Sequence, residues 1–302
     1  MYTSISKNEF AEKDFSNNLF FCSGLPKSGT TFLQRLINLH PQISCPSEQV
    51  LSFLYNQNQY MYESYNKLLN IADKRTGGQG IRQISQDTVK RIFKYQVHEI
   101  AVENSGGKPI IGLNDNWICQ NLTAFRQHFP HSLFIQIFRN PADRAVSLWD
   151  HNFRLYEKEG DKRHLDFLNQ FDGTIEGCVL YYAQKDSEYF SKICEKHSHD
   201  AKILFVRYED LCSEGTSALS DILAFLGAEC DPSLIMKLKA SSKIEKVARF
   251  SENRDFFAGG GRVGFADGVV KENVRKQAFE ITAKSLERLG YIFNGWPRFD
   301  YQ

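Results

Sequence analysis

The chain has 302 residues, of which 42% are hydrophobic and 24% are charged, and its formal net charge is +1. These values are ordinary for a globular protein, and the balanced charge argues against a nucleic-acid polymer or a membrane surface as a partner. Seven scattered cysteines without a C-x-x-C pair favour reduced thiols in the cytoplasm over a disulfide framework or a zinc site.

The polar residues 1–18 predict a loosely held lead-in, and they lack the apolar core of a signal peptide. One large α/β domain or two small ones would suit the chain length, and we expect a single domain over residues 19–302. No run of apolar residues approaches 18, so we expect no membrane-spanning helix.

A strand, a turn and a helix follow one another between Leu19 and Leu39. The short apolar run Leu19–Cys22 predicts a buried strand, and apolar residues from Phe32 to Leu39 recur at helical spacing. The turn and the helix start contain Pro26, Lys27, Ser28, Gly29, Thr30 and Thr31. Because backbone N–H groups and the helix dipole favour an anion at such a helix start, this segment predicts a phosphate-binding loop.

The glycines of this loop have the spacing of a P-loop, Gly24-x-x-x-x-Gly29. However, Thr30 follows where a Walker loop has its lysine, and the lysine of this chain is Lys27, inside the turn. We therefore expect a loop that holds a phosphate-like group but differs from that of an ATPase. The alternative is an ordinary strand-to-helix turn that happens to contain a lysine.

The rest of the pattern alternates between helices and strands. Helices are predicted over about 48–72, 86–103, 118–128, 141–153, 175–194, 215–226, from Asp231-Pro232 onward, and over 271–289. Strands are predicted over Pro109–Leu113, Leu133–Phe138 and Lys202–Val206. Residues 155–174 are predicted as a surface loop or lid, and residues 250–270 as a loop. This alternation predicts a P-loop-NTPase-like three-layer α/β fold, with a central parallel sheet and helices on both faces.

Ligands of such sheets bind at the carboxyl ends of the strands. Arg139 ends a predicted strand, and Ser147 lies about two turns into a helix that begins at Asn140-Pro141. A guanidinium group binds phosphate in a bidentate manner, so this pair suits a second anion. The alternative for an isolated arginine is a surface pair with Asp143. Together, the two motifs indicate a nucleotide that is phosphorylated at two ends.

Leu25–Phe32, LPKSGTTF, closely resembles the 5′-phosphosulfate loop of sulfotransferases of the soluble, bacterial type. Arg139-Asn140-Pro141 with Ser147 resembles their 3′-phosphate motif. These enzymes use 3′-phosphoadenosine 5′-phosphosulfate (PAPS) and release 3′,5′-ADP (PAP). Arg207–Leu211 resembles the family's adenine-side tyrosine motif, and Gly261-x-x-Gly264 lies where the family has a late glycine-rich loop. The resemblance covers about residues 19–290.

The resemblance implies a role for each matching residue. Lys27 would stabilise charge on the bridging oxygen of PAPS while the S–O bond breaks. Arg139 and Ser147 would hold the 3′-phosphate, which ATP lacks, and Tyr208 would lie beside the adenine with Ser241 nearby. No metal ion is implied. The 5′-phosphate would be held by the loop residues Pro26, Ser28, Gly29, Thr30 and Thr31.

The late loop departs from the family pattern. Where the family often has Arg-Lys-Gly, this chain reads Gly259-Gly260-Gly261. We expect Gly261 to contact the donor and Arg262, the nearest cation, to replace the missing charge.

The proton of the acceptor needs a base. Many family members use a histidine after the strand that precedes the 3′-phosphate strand, but Gly112–Trp117 contains none. Others use a glutamate shortly after a His-Pro pair, and Glu48 lies at a matching offset from His40-Pro41. The resemblance thus implies Glu48 as the base, with Asp115 as the second candidate. Glu48 could instead be a carboxylate that stabilises a helix N-terminus.

We expect the acceptor to be a small metabolite or a carbohydrate with a hydroxyl group or an amine. Its contacts should come from segments outside the cofactor motifs, about 48–108 and 150–178, whose aromatic residues could line a pocket or belong to the core. Two other functions stay open, a P-loop kinase for small molecules and a non-catalytic nucleotide-binding module. The sequence leaves the identity of the acceptor and the oligomeric state open.

Overall fold

The computed structural model describes residues 18–78, 80–213, 215–241 and 263–288. In these ranges, five strands form one sheet in the order β2-β3-β1-β4-β5, and every pair is parallel. The strands are β1 (Leu19–Gly24), β2 (Ile43–Ser44), β3 (Ile110–Asn114), β4 (Leu133–Phe138) and β5 (Ile203–Arg207). A parallel sheet surrounded by helices confirms the predicted fold class.

Helices connect the strands and cover the sheet. They are α1 (Thr30–Asn38), α2 (Leu51–Arg75), α3 (Gln86–Asn104), α4 (Leu122–His128), α5 (Pro141–Glu159), α6 (Lys162–Asn169), α7 (Ile175–His197), α8 (Tyr208–Cys212), α9 (Ser217–Phe225), α10 (Pro232–Ser241) and α11 (Glu272–Arg288). A 3-10 helix over Asn116–Asn121 precedes α4. None of these helices combines the length and the apolar character that crossing a bilayer requires.

The predicted loop over residues 155–174 is wrong for most of its length. Helix α5 continues to Glu159 and ends at Gly160, whose φ is 66°. The side chain of Asp161 then caps α6, since its Oδ1 accepts a hydrogen bond of 2.8 Å from the Arg163 N–H. The high charge of this segment concealed a helix with few apolar residues. Strand β2 was also missed, because two residues are too short for a readable pattern.

Strand β1 lies in the middle of the sheet, and all six of its residues are buried. Its side chains alternate between two cores, with Phe20 and Cys22 on one side and Leu19 and Phe21 on the other. Helices cover both sides, which explains why this strand reads as a continuous apolar run rather than an alternating one.

Each side of the sheet has its own core. On the side of Phe20, the buried residues Leu33, Leu36 and Ile37 of α1 pack together with aliphatic residues of α9 and α10. The other side is aromatic. The ring centre of Phe21 lies 5.9 Å from that of Phe125, and 5.0 Å from those of Phe129 and Phe134.

A third core joins α5, α7 and α11. It contains mainly small side chains, which let helices approach closely: Ala142, Ala145, Val146, Cys178, Val179, Ala183 and Ala278. This core fixes the helix that follows β4, and that helix carries several residues of the candidate site.

Replacing Phe21 with alanine tests the role of the central strand. Phe21 is 0% exposed and contacts three other aromatic rings, so Phe21→Ala should reduce the free energy of unfolding by about 3–5 kcal/mol. Urea denaturation followed by circular dichroism measures this change. Phe53, which is 61% exposed, provides the control, and Phe53→Ala should have little effect. A similar loss in both variants would contradict this description of the core.

Candidate active site

The carboxyl ends of β1, β3 and β4 bring the predicted site residues to one edge of the sheet. Lys27 follows β1, and Asp115 and Arg139 directly follow β3 and β4. Strands β1 and β4 approach so closely that a Cβ atom on Gly24 would lie 2.5 Å from the carbonyl oxygen of Ile137. The beginning of the Lys27 turn is therefore held tightly against β4.

The turn between β1 and α1 has an unusual backbone. The φ angle is 70° at Lys27 and 97° at Gly29, and the Ser28 N–H donates to the Leu25 carbonyl over 2.9 Å. A Cβ atom on Gly29 would lie 2.2 Å from Cδ2 of Tyr208, so this position requires glycine for both its conformation and its neighbour. A lysine at positive φ has a strained backbone, and strain of this kind persists mainly at functional sites.

Two buried arginines hold the carbonyl side of this turn. Nη1 of Arg139 donates to the Lys27 carbonyl over 3.2 Å, and Nη1 of Arg144 donates to the Pro26 carbonyl over 3.0 Å. Arg139 is 4% exposed and Arg144 is 2% exposed. Because cations bind these carbonyls, the polar groups that the turn offers to an anion are the first N–H groups of α1.

Arg144 reaches the turn from α5 and is itself held by Asp186 of α7. Its Nε donates to Oδ2 of Asp186 over 2.7 Å, and its Nη2 contacts Oδ1. The two side chains are 3% and 1% exposed. The guanidinium carbon also lies 4.9 Å from the ring centre of Tyr182. This ion pair connects the turn to the packing of two helices.

The Arg144–Asp186 pair was not predicted from the sequence, although a signal exists. Asp186 falls between Ala183 and Phe190 at the spacing of the buried side of α7. A carboxylate at such a position needs a charged or hydrogen-bonding partner. The sequence pattern does not say which residue supplies it.

The other predicted contacts of the donor have different outcomes. Tyr208 is 1% exposed, its ring centre lies 4.8 Å from the Arg139 guanidinium carbon, and burial raises its pKa. Ser147 is half-buried in α5, and Ser241 is exposed at the last residue of α10. Gly261 and Arg262 lie outside the described residues. Among the loop hydroxyl groups, Ser28 and Thr30 are buried, and Thr31 is half-buried.

Two buried carboxylates stabilise the start of α5. Asp143 accepts hydrogen bonds from the N–H groups of Gly264, over 2.7 Å, and Ala266, over 2.8 Å. Glu209 accepts from the Asn140 N–H over 2.7 Å, and burial raises the pKa of Glu209 to about 7. Asp143 is 3% exposed, so it is not a surface partner of Arg139, although the charge of Arg139 opposes the rise in pKa that burial causes at this carboxyl group. Within the described ranges, no three His, Cys, Asp or Glu residues are grouped so as to hold a metal ion.

Lys27 lies near basic groups of α5. Partial burial, together with the charges of Arg154 and Arg139, lowers the pKa of Lys27 to about 8, and the charge of Asp150 opposes this shift. Arg154 pairs with Asp150 over 2.8 Å. Burial, together with the charges of Lys27 and Arg154, lowers the pKa of His151 to about 4. At neutral pH this edge therefore combines a cationic Lys27 with a neutral His151.

Glu48 lies in an irregular segment between β2 and α2. The next residue, Gln49, donates its N–H to the Asn114 carbonyl over 2.9 Å, which ties this segment to the end of β3. Glu48 is exposed as a residue, but partial burial of its carboxyl group raises its pKa, and the charge of Asp115 adds to this effect. Hydrogen bonds from Asn116 oppose it. Helix α2 begins only at Leu51, so Glu48 lies before the helix rather than in its first turn.

Asp115 has a different environment from Glu48. It is 0% exposed, and its Oδ2 accepts from the Ser52 N–H over 2.7 Å and from the Ser52 hydroxyl over 2.8 Å. Its Oδ1 accepts from the Trp117 N–H over 2.8 Å and caps the 3-10 helix. Both oxygens of Asp115 thus anchor neighbouring segments, whereas the Glu48 residue is exposed.

The chain is similar to known proteins in sequence and in fold. A family model described as "Sulfotransferase family" matches residues 20–232. A mouse sulfotransferase complexed with PAP is similar over 90% of this chain and 85% of its own, with 18% identity and a TM-score of 0.53. A sulfotransferase from Alicyclobacillus acidocaldarius is similar over 89% of this chain and 93% of its own, with 16% identity and a TM-score of 0.46. No curated protein sequence matches the chain.

A single and a double substitution separate the contribution of the Arg144–Asp186 pair to stability from the contribution of Arg144 to nucleotide binding. Arg144→Met leaves the buried Asp186 carboxylate without its guanidinium partner and should destabilise the protein by about 3–5 kcal/mol in urea denaturation. The double variant Arg144→Met/Asp186→Leu should recover much of this stability. Both variants should bind 3′,5′-ADP more weakly than the wild-type protein in calorimetry, because each lacks the hydrogen bond from Arg144 to the Pro26 carbonyl. Binding restored in the double variant would contradict the role of Arg144 in the turn.

Proposed function

The chain belongs to the sulfotransferase family, and from this membership we propose that it transfers the sulfuryl group of PAPS to a hydroxyl group or an amine. The proposed acceptor is a small metabolite or a carbohydrate. One observation carries the proposal most strongly. The strained Lys27 turn and the buried Arg139 meet through the hydrogen bond between Arg139 and the Lys27 carbonyl. A lysine turn and a second cationic site in contact suit a donor with phosphate groups at two positions.

The residues at this edge fit PAPS. The first N–H groups of α1, with the hydroxyl groups of Ser28, Thr30 and Thr31, would hold the 5′-phosphate. Arg139 and Ser147 would hold the 3′-phosphate. PAPS supplies an activated sulfuryl group, and a sulfuryl group carries less charge than a phosphoryl group, so the chemistry needs no metal ion to neutralise it. Tyr208, whose ring is buried beneath Arg139, would contribute by fixing the guanidinium group.

Lys27 is proposed to stabilise the leaving group. With a pKa of about 8, its ammonium group is mostly protonated at neutral pH. A positive charge fixed beside the oxygen that gains charge stabilises the transition state more than the ground state. The left-handed backbone at Lys27, held by Arg139 and Arg144, would limit the movement of this charge.

We propose Glu48 rather than Asp115 as the general base. Each oxygen of Asp115 already accepts hydrogen bonds in a fully buried environment, which suits an anchor. Glu48 is exposed at the same edge of the sheet, and its raised pKa brings it closer to the pKa that general-base catalysis favours near neutral pH. It would accept the proton that the acceptor loses.

The acceptor is proposed to contact the segments about 48–108 and 150–178. Part of the aromatic content of these segments belongs to the core, since Tyr55 packs against Phe93 and Phe167 packs against Phe171. Phe153 remains 47% exposed on α5 and would offer an apolar surface to the acceptor.

Nucleotide binding tests the donor. Arg139→Ala should weaken binding of 3′,5′-ADP by about 10- to 100-fold, because a charged hydrogen-bonding partner of the 3′-phosphate is lost. It should weaken 5′-AMP binding by a smaller factor, because that nucleotide is affected only through the lost contact with the Lys27 carbonyl. Isothermal titration calorimetry measures both affinities, and the exposed Arg163→Ala serves as the control. A kinase would instead use ATP with Mg²⁺, so ATP-dependent phosphoryl transfer or an equal loss for both nucleotides would contradict the proposal.

Catalysis is tested by the pH dependence of 3′,5′-ADP release from PAPS with a panel of phenols, alcohols and amines. The acidic limb of kcat/KM should lie above the ordinary pKa of a glutamate, since Glu48 must be deprotonated. The basic limb should lie near pH 8, since Lys27 must be protonated in the free enzyme.

Lys27→Ala should abolish transfer. Glu48→Gln should lower kcat at least 100-fold and leave 3′,5′-ADP binding intact. If Asp115→Asn alone has that effect, Glu48 is not the base.

A further inference from the structure

Asn116 lies between the Lys27 turn and Glu48. The hydroxyl group of Thr30, at the start of α1, donates to Oδ1 of Asn116. Nδ2 of Asn116 donates to Oε2 of Glu48 over 3.3 Å, and its backbone N–H donates to Oε1 over 3.4 Å. A single residue therefore contacts a hydroxyl group of the donor loop and both oxygens of the proposed base.

Chemistry permits only one orientation of this amide. An ionised Glu48 can only accept hydrogen bonds, so the NH₂ group of Asn116 must face it. The carbonyl oxygen then faces Thr30, whose hydroxyl group can donate to it. Each neighbour supports the same orientation, and an aspartate, alanine or leucine at position 116 would lose at least one of the two contacts.

The segments on both sides of Asn116 are fixed. The Asp115 N–H donates to the Cys22 carbonyl over 3.1 Å, and the Asp115 carboxylate binds Ser52 and the N–H of Trp117. The backbone of Asn116 thus begins a capped 3-10 helix at the end of β3. Because the Glu48 segment is tied to the same strand end, the distance between Asn116 and Glu48 is set by the sheet.

We propose that Asn116 is a positioning residue that orients Glu48 and couples this carboxylate to the donor loop through Thr30. The catalytic consequence rests on the proposed function, in which Glu48 is the base. A threonine hydroxyl group has one proton, so Thr30 cannot donate to Asn116 and to a phosphate at the same time. Donor binding that draws this proton away would release the carbonyl oxygen of Asn116 and alter the hydrogen bonds that Glu48 receives.

The groups around Glu48 determine whether substitution of Asn116 raises or lowers the pKa of Glu48. Two influences raise its pKa, namely burial and the negative charge of Asp115, and the hydrogen bonds from Asn116 lower it. Asn116→Ala removes the side-chain donor and should raise the pKa of Glu48. Asn116→Asp keeps the size and the acceptor for Thr30 but replaces the donor with a negative charge, so it should raise this pKa further.

Carbon-13 NMR of protein labelled at the glutamate carboxyl group measures the pKa of Glu48 directly, with Glu48→Gln to assign the resonance. Asn116→Ala and Asn116→Asp should both raise this pKa, and the control Gln120→Ala, an exposed position on the same 3-10 helix, should not. Saturating 3′,5′-ADP should shift the Glu48 resonance in the wild-type protein. The shift should be smaller in the Thr30→Val variant, which lacks the hydroxyl group that binds Asn116. An unchanged Glu48 pKa in both Asn116 variants would overturn the inference.

The rate measurements separate this inference from the proposed function. Asn116→Ala should lower kcat about 10- to 100-fold with the fastest acceptor of the panel, because the base is misoriented. The affinity for 3′,5′-ADP should stay within about threefold, because the donor keeps all its other contacts and loses only the coupling through Thr30. The acidic limb of kcat/KM should move upward with the pKa of Glu48. If the pKa of Glu48 rises while this limb stays in place, the coupling stands and Glu48 is not the base.

Discussion

The carbonyl groups of Pro26 and Lys27 are held by two buried guanidinium groups, and the candidate site depends on this interaction. Arg139 and Arg144 bind the side of the turn that would otherwise repel an anion. Because Asp186 completes the hydrogen bonds of Arg144 in the interior, the turn cannot relax without disturbing the contact between α5 and α7. This explains how the chain keeps Lys27 at positive φ.

The formal net charge of +1 conceals a strong local separation of charge. Buried carboxylates in and around α5 are used internally, since Asp143 and Glu209 bind backbone N–H groups and Asp186 binds Arg144. Lys27 and Arg139 therefore give this edge of the sheet a local positive charge. Such an arrangement attracts an anionic ligand without giving the whole protein a basic character.

The acceptor side of the site follows a different principle. Glu48 belongs to neither a helix nor a strand, yet backbone and side-chain contacts attach its segment to the end of β3. Asp115 stabilises that attachment, and a neutral amide, Asn116, contacts the carboxylate. A neutral donor orients a carboxylate without lowering its basicity as strongly as a cation would, which suits the role of general base proposed for Glu48.

The amino-acid sequence by itself determined the α/β class, the approximate bounds of four strands, the Lys27 turn and the position of Arg139 at the end of a strand. These features depend on apolar runs and on residues close together in the chain, where local geometry dominates. Helix α6 escaped prediction because its few apolar residues lie within a highly charged segment. Only the tertiary structure decided which charges are buried, that Asp186 is the partner of Arg144, and that Asn116 lies between Thr30 and Glu48. Those contacts join segments 42 to 86 residues apart, and no local pattern specifies a contact that the packing of the sheet creates.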